Sequence, residues 1–386
     1  LAVGSREGRV LRIAIARQKY TPFGGAERFV ERALGGLREQ GVEVTMIARE
    51  WTGDPAGVLR CNPFYVGRTW RDAGFARCVR GVIASGRFDL VQSHERIPGC
   101  HVYRAGDGVH ATWLELRDAA RGGLARFATR LLPWHRYTLA AEAAMFRHPD
   151  LHGVICNSVM VRDDIARRFG VAAERLHVIH NGVDLDHFHP GLRDEHRVKA
   201  RAEFGIPESA PVVLFVGSGF ERKGVHVLLR ALAAMKRRNA HLVVVGKDRG
   251  AKVAEQVSQT LGVDDRVHFL GGLQDVRPWY GAADVFCLPT LYDPMPNAAL
   301  EALACGLPVV TSTTCGAAEL IAPGRNGTIC GALDIPAIAA ALDALLDPDG
   351  MAARRDAARA SVAGLSTASM AAKLADFYRR MGPPVA

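Results

Sequence analysis

Short β-rich runs alternate with amphipathic helical stretches along the whole chain, the pattern of parallel sheets covered by helices. In the first half Val10–Ala16, Val42–Ala48, Leu90–Ser93, Val102–Ala105 and Val154–Cys156 read as buried strands. Ala26–Gln40 reads as a helix that opens directly after a glycine pair. In the second half the strands are Val212–Gly217, Leu242–Gly246, Val267–Leu270, Val285–Pro289 and Val309–Ser312. Helices near Val225–Arg237, Lys252–Leu261, Asn297–Ala304 and Ile335–Leu346 separate them. Each half is its own βαβ series, and the two are not an evident sequence repeat. The expectation is an α/β chain of two doubly wound parallel-sheet domains. Ligands in such folds bind outside the carboxyl ends of the strands, so two facing sheets put the site in the cleft between them.

A length of 386 residues suits two domains of ordinary size. The expected boundaries are 9–185 for the first domain, 186–203 for a linker and 204–366 for the second domain. Residues 367–386 are expected to hold a terminal helix, near Met370–Arg380, that crosses back to the first domain. The linker rests on the polar, charge-rich stretch Asp186–Glu203, with Pro190 and Gly191 inside it. Hydrophobic residues make up 48% of the chain, enough for substantial cores, which excludes disorder. No apolar run reaches the ~18 residues of a membrane-spanning helix. Leu1–Arg9 lacks the apolar stretch of a secretory signal and reads as a loose leader. The eight cysteines (Cys61, Cys78, Cys100, Cys156, Cys287, Cys305, Cys315 and Cys330) show no paired metal-ligand spacing. Several sit in apolar runs, so buried reduced thiols of a cytosolic protein are expected rather than a disulfide framework. The net charge of +9 suits nucleic acid, an acidic membrane surface or phosphorylated substrates, without choosing among them.

Three segments carry candidate chemistry. Gly24 and Gly25, between the first strand and the first helix, let a backbone approach a ligand closely, although a tight turn needs glycine with no ligand at all. In the second half Leu214-Phe215-Val216-Gly217-Ser218-Gly219 is followed by Glu221-Arg222-Lys223-Gly224. A glycine turn at a strand end, with Arg222 and Lys223 just before a helix, suits a diphosphate, the alternative being a solvated basic turn. The third segment runs from Leu291 to Val310. A loop there carries Asp293, and a helix of alanine and leucine carries Glu301 one turn past Asn297. A lone carboxylate on so apolar a helix needs a partner. A vicinal diol serves, as would an Arg or backbone amides. Free N–H groups at this helix start favour phosphate by roughly 0.3–1 kcal/mol.

The spacing of Asp293 and Glu301, with Ala302 and Gly306-Leu307-Pro308-Val309-Val310 following, resembles the E-x7-E element of the large retaining glycosyltransferase family with the GT-B fold. Other segments agree with that resemblance. Val154-Ile155-Cys156-Asn157-Ser158, Val178-Ile179-His180-Asn181-Gly182-Val183-Asp184 and Phe188-His189-Pro190 resemble its interdomain signature. Leu214–Gly224 is similar to its diphosphate turn, and Asn326-Gly327 to its late glycine turn. The resemblance implies two Rossmann-like domains facing a cleft. It implies that Gly24, Gly25 and Gly217 admit the donor, and that Arg222 and Lys223 neutralise the leaving diphosphate. Glu301 would hold the ribose diol and Asp293 the hydroxyls of the donor sugar. Backbone at Val267–Gly271, Leu270 among them, would meet the nucleobase, and the amides of Asn297 and Ala298 the phosphates. The departure is Asp293, where the family usually has Glu; Pro294 and Pro296 also remove amides from that loop.

Within the family, Arg17–Arg28 and Pro98–Asp107 resemble the lipopolysaccharide core glucosyltransferases, which puts Asp107 at the reacting centre. Its alternative role is a cap on the following helix. The resemblance implies transfer of a hexose, by preference glucose from UDP-glucose, to a lipopolysaccharide core or other envelope glycolipid by front-face attack. No carboxylate pair then has to act as acid and base. No metal and no cofactor beyond the nucleotide-sugar donor is expected, and no nucleic-acid partner. A sugar-nucleotide epimerase and a non-catalytic sugar-nucleotide binder are the competing readings. A nicotinamide dehydrogenase is disfavoured, since neither glycine loop follows the full G-x-G-x-x-G pattern.

From Trp113 to Phe146 a long helical region carries Leu116, Ala120, Leu124, Phe127 and Leu131 on one face. Arg117, Arg121, Arg126 and Arg130 border it, and Leu132, Trp134 and Tyr137 follow. That pattern suits the surface of an anionic bilayer, with the Leu131–Tyr137 tip as the contact, or equally a stripe packed on the first sheet. A peripheral enzyme on the cytoplasmic face of the membrane is the expectation.

Overall fold

The computed structural model describes residues 10–20, 37, 41–52, 57–121 and 132–382. The Leu1–Arg9 leader, Gly24, Gly25 and all of the Ala26–Gln40 helix except the helical, buried Leu37 lie outside the described residues. Strands are numbered β1 (Leu11–Ala16), β2 (Lys19–Tyr20), β3 (Val42–Ala48), β4 (Glu50–Trp51), β5 (Val58–Arg60), β6 (Leu90–Ser93), β7 (Val102–Arg104), β8 (Gly153–Cys156) and β9 (Leu176–Val178) in the first half. The second half holds β10 (Val212–Val216), β11 (His241–Val245), β12 (Val267–Gly271), β13 (Val285–Leu288), β14 (Val309–Ser312) and β15 (Gly327–Cys330). The first sheet has the order β5-β3-β1-β6-β7-β8-β9 and the second β12-β11-β10-β13-β14-β15, with parallel pairing throughout. The short strands β2 and β4 pair separately.

Near-continuous β-branched runs make these central strands. Val212-Val213-Leu214-Phe215 and Leu242-Val243-Val244-Val245 are buried throughout, as strands covered by helices on both faces must be. In each sheet the chain leaves a central strand in both directions, β1 between β3 and β6, and β10 between β11 and β13. Those two switch points open crevices at the strands' carboxyl ends, and the sheets turn them toward each other. The terminal helix Thr367–Met381 packs on the first sheet, not the second. Its Met370, Leu374, Phe377 and Tyr378 share a core with Ile13, Val44, Val102 and Ile155.

The stretch read as a linker is instead a helix, Leu192–Glu203, packed against the Arg277–Ala282 helix. Its glue is electrostatic. Asp284 Oδ2 accepts from Arg201 Nη2 at 2.7 Å and from the Val212 N–H at 2.9 Å, and Oδ1 accepts from Arg197 at 2.9 Å. Arg201 is fully buried and donates further to the carbonyls of Ala282 and Ala210. A helix whose inward face is arginine carries no apolar stripe, which is why its sequence looks like a linker.

Two further expectations are corrected. Cys61 and Cys78 form a disulfide, so not all eight cysteines are reduced. The loop after β5 turns back along the Gly67–Ala84 helix and brings their Cα atoms to 5.9 Å, within bridging range. The other six are buried and free, and burial pushes the thiols of Cys100 and Cys156 up to about 12. In the Trp113–Phe146 region the described residues form the helices His110–Arg121 and Pro133–Phe146. Leu124, Arg126, Phe127, Arg130 and Leu131 lie outside the described residues. The first helix turns His110, Leu114, Arg117 and Asp118 inward, not Leu116 and Ala120. Arg117 is therefore buried beside Asp118 and borders no solvent-facing stripe. Among the described residues no helix is long and apolar enough to cross a membrane.

Burial raises the cost of charge on Asp284, but Arg197, Arg201 and the Val212 N–H more than offset it, holding its carboxyl below the ordinary 3.8. A folded-state pKa below the unfolded one adds stability above the unfolded pKa, and that stability is lost as the pH falls through the folded value. Asp284→Ala, which strands Arg201 in the core, is expected to cost about 3–5 kcal/mol near neutral pH by denaturant unfolding. The penalty should shrink when the same comparison is made at a pH below the folded-state pKa.

Candidate functional site

The carboxyl end of β10 leads through Gly217 into a single helical turn, Phe220–Lys223. A Cβ at Gly217 would lie 2.7 Å from Lys223 Cδ, so a larger residue there would displace the Lys223 side chain. Asp248, at the end of β11, braces the turn. Its Oδ2 accepts from the N–H groups of Gly219 at 2.7 Å and Phe220 at 3.1 Å, and Oδ1 from that of Gly250 at 2.7 Å. Burial works against this carboxylate, but the three backbone donors outweigh it and its pKa is held low. With two amides committed to Asp248, the turn meets an anion chiefly with its side chains. Arg222 Nη1 donates to the Tyr292 carbonyl at 2.9 Å and lies 3.5 Å from Asp293 Oδ2. Lys223 Nζ lies 3.4 Å from the same oxygen. Asp293 is thus buried between the two cations, with its own backbone pinned to Thr314 and Gly316.

The Asn297–Ala304 helix follows Pro296. Asn181 in the first half donates through Nδ2 to Asn297 Oδ1 at 2.8 Å and to the Met295 carbonyl at 3.1 Å, while its Oδ1 accepts from Arg104 at 2.9 Å. Glu301, half-buried one turn further on, accepts from the Tyr280 hydroxyl at 2.8 Å. These groups wall an interdomain cavity of about 990 Å³. Of the residues singled out in the sequence, Gly217, Arg222, Lys223, Asp293, Asn297, Ala298 and Glu301 line it, and Asp107 faces them from the first domain. Leu270 does not line it. Its strand runs on to Gly271 and the Leu270 side chain packs on the second core, so the wall on that side is Gly272, Leu273, Gln274 and Val276. Gly24 and Gly25 lie outside the described residues.

A second pocket of about 450 Å³ adjoins the first and shares Glu95, Gly106, Asp107, Arg222 and Asp293 with it. Its far wall is Trp113, Trp134, Tyr137 and His110, with Arg71 and Asp72 beside them. Burial, reinforced by Arg96 and His135, pulls His110 down to about 3, so this wall is neutral at physiological pH. Burial and the neighbouring Asp107 hold the Glu95 carboxyl above its ordinary range. Asp107 is exposed at the junction of the two pockets and does not cap the next helix. Glu142 does, accepting from the His110 N–H at 2.9 Å and pairing with Arg96.

Sequence reading missed Glu95, Tyr280, Lys247 and Asp248. Lys247 and Asp248 follow a strand's carboxyl end, where the general rule for such sheets points, whereas Tyr280 reaches Glu301 from a separate helix that no spacing announces. The two halves meet at Gly108 and Tyr292. The Val109 N–H donates to the Tyr292 hydroxyl at 2.8 Å. A Cβ on Gly108 would lie 2.3 Å from that oxygen, and its φ of +66° is itself disfavoured for any other residue.

Residues 23–187 match the family described as Glycosyltransferase Family 4, and residues 210–348 the family described as Glycosyl transferases group 1. The chain is 30% identical over 327 residues to the lipopolysaccharide glucosyltransferase WaaG of Escherichia coli K12, covering 82% of this chain and 84% of that one. It is 34% identical over 241 residues to D-inositol 3-phosphate glycosyltransferase 2 of Catenulispora acidiphila, covering 59% and 56%. Among solved structures it is similar to WaaG, a glycosyltransferase involved in lipopolysaccharide biosynthesis, with a TM-score of 0.81 and 28% identity over 95% of this chain and 99% of that one.

The Gly108–Tyr292 contact yields a prediction. Gly108→Ala is expected to destabilise the fold by about 1–3 kcal/mol through its left-handed backbone alone. It should also push Tyr292 away and widen the cleft, seen as a larger radius of gyration in solution scattering.

Proposed function

The chain belongs to the two-domain glycosyltransferases of family 4 and group 1, and from that premise we propose that it moves glucose from UDP-glucose to a lipid-linked envelope glycan with retention of configuration. It is a hexosyltransferase of GT-B fold. The finer reading rests on one observation: the 990 Å³ cavity and the 450 Å³ pocket join where Asp107, Glu95, Arg222 and Asp293 meet. A nucleotide-sugar in the larger space, with its diphosphate on Arg222 and Lys223, brings its sugar to that junction. An acceptor in the smaller space brings its hydroxyl to the same place from the other side.

In this reading Arg222 and Lys223 stabilise the charge that grows on the diphosphate as the glycosidic bond breaks. Glu301 accepts from the ribose diol beside its bond from Tyr280, since an ionised carboxylate has several acceptor sites. Asp293 accepts from hydroxyls of the donor sugar. The acceptor oxygen attacks from the face the diphosphate leaves, and its proton passes to the departing phosphate oxygen. Asp107 orients that hydroxyl. We propose transfer without a metal, the two cations supplying the charge. Trp113 and Trp134 offer apolar faces for sugar C–H groups. The relative named a lipopolysaccharide glucosyltransferase supports this acceptor class, and we propose that transfer takes place at the cytoplasmic face of a membrane. Family membership removes the epimerase reading.

The test is nucleoside diphosphate release across a panel of nucleotide-sugars with lipopolysaccharide core acceptors, UDP-glucose being the expected donor. Lys223→Ala is expected to lower turnover by about 10²–10³-fold, and Glu301→Ala to abolish saturable donor binding, both with unchanged circular dichroism. Near-normal rates in both variants would put the site elsewhere.

A further inference from the structure

Asn157 follows the last residue of β8 and is only 2% exposed, yet it lines the 990 Å³ cavity. Its Nδ2 donates to the Gly106 carbonyl at 3.4 Å, and Gly106 lies beside Asp107 where the two pockets join. A carbonyl oxygen can only accept, so this contact fixes which end of the amide is nitrogen and leaves Oδ1 as the uncommitted end. Among the described residues Asn157 Oδ1 is buried and has no hydrogen-bond partner. Buried side-chain oxygens in folded proteins nearly always find a donor. An open acceptor in a cavity wall can be satisfied by a ligand without breaking any bond within the protein.

The chemistry of an acceptor oxygen narrows the ligand group it would meet. The oxygens of an esterified diphosphate carry no proton near neutral pH and cannot serve it, whereas a sugar hydroxyl can. Position narrows the group further. Asn157 borders the larger cavity and not the smaller one, which separates it from the acceptor space. The next residue, Ser158, packs on the loop that carries Asp293. A Cβ on Gly316 would lie 2.8 Å from Ser158 Cβ, and the Gly316 N–H donates to the Asp293 carbonyl at 2.8 Å. Ser158 also caps the Val159–Phe169 helix, its hydroxyl accepting from the Val161 N–H at 3.3 Å. The segment is therefore held from both sides, and it brings Asn157 to the Asp293 end of the cavity from the first domain.

We propose that Asn157 Oδ1 accepts a hydrogen bond from one hydroxyl of the donor sugar, so that the first domain reads the configuration of that sugar together with the second. The proposal rests on the reading of the larger cavity as the donor site with its sugar at Asp293. Asp293 and Asn157 then hold the sugar from opposite domains. A donor whose hydroxyl is missing or inverted at the carbon facing Asn157 leaves the buried oxygen without a partner. A site built to bind a hydroxyl rejects an analogue lacking it far more strongly than an apolar site rejects a missing methylene. Asn157 is thus a specificity-determining residue on the domain that does not carry the diphosphate turn.

The full chain and its Asn157→Ala variant are to be titrated calorimetrically with UDP, with UDP-glucose, and with UDP-glucose analogues each lacking one hydroxyl, at the second, third, fourth or sixth carbon of the sugar. The variant should bind UDP with the wild-type Kd, which shows that its fold and nucleotide site are intact. It should bind UDP-glucose about tenfold more weakly than the wild type does. For one analogue, the one lacking the hydroxyl that meets Asn157, wild type and variant should have the same Kd, because the bond is already gone. An equal loss across UDP-glucose and all four analogues would make Asn157 a structural residue and overturn the proposal. An unchanged Kd for UDP-glucose in the variant would overturn it as well. Wild-type protein that binds UDP but gains nothing from the glucose would do the same. Failure of the wild type to bind either UDP or UDP-glucose would remove the donor reading and this proposal together. Turnover plays no part in these titrations, so absence of nucleotide release would count against the transfer reading alone.

Discussion

A single carboxylate, Asp293, is held between Arg222 and Lys223, and the working arrangement of the cleft depends on that cluster. Two cations side by side repel each other, and the buried acid between them sets their separation before any ligand arrives. In the proposed reading a diphosphate would add negative charge to a place already shaped for it, with less reorganisation than a flexible basic loop would need. The pinning of Asp293 by Thr314 and Gly316, and of the Gly217 turn by Asp248, fixes both halves of the cluster through backbone rather than through long side chains. That bears on the departure at Asp293. A side chain one methylene shorter than Glu still lies 3.5 Å from Arg222 and 3.4 Å from Lys223 here.

The cleft itself is closed by polar contacts rather than by an apolar seam. Arg104, Asn181 and Asn297 form one hydrogen-bonded chain between the halves. Arg121 meets Glu221 in a two-pronged ion pair, and His180 meets Glu319 on the other side. Exposed ion pairs contribute little to stability singly, so these contacts hold the mouth of the cleft only weakly. What keeps the halves together is the Thr367–Met381 helix, whose apolar face is part of the first core, and whose Tyr378 hydroxyl donates to Gln92 in β6. The two halves are thereby joined by strong connections at the rear and weak ones at the mouth.

Legibility followed the physics of each element. The central strands of both sheets were readable because a strand buried on both faces must be a run of branched apolar residues, whereas the partly exposed edge strands β5, β9 and β15 were not. The Asn297–Ala304 helix was readable to the residue. The Leu192–Glu203 helix was not, because Arg193, Arg197 and Arg201 bind one acid that lies far away in the chain, and nothing local marks them as inward-facing. The Gly67–Ala84 helix was equally hidden, since its exposed side mixes Trp70 with arginines. Leu270 was misplaced by the width of one strand end, a distance at which a side chain changes from cavity wall to core.

By itself the sequence determined the two parallel-sheet domains, the family, the turn with Arg222 and Lys223, and the helix with Glu301. Each is written in neighbouring residues, as periodicity or as a short motif. Tertiary structure alone decided which side chains share a space: Tyr280 with Glu301, Asp293 with both cations, Glu95 with Asp107, and the Cys61–Cys78 bond. It also decided that Phe64, Val66 and Trp70 face water while Trp134 and Tyr137 turn inward. Burial and pairing are properties of segments brought together from distant parts of the chain, and no local pattern carries them.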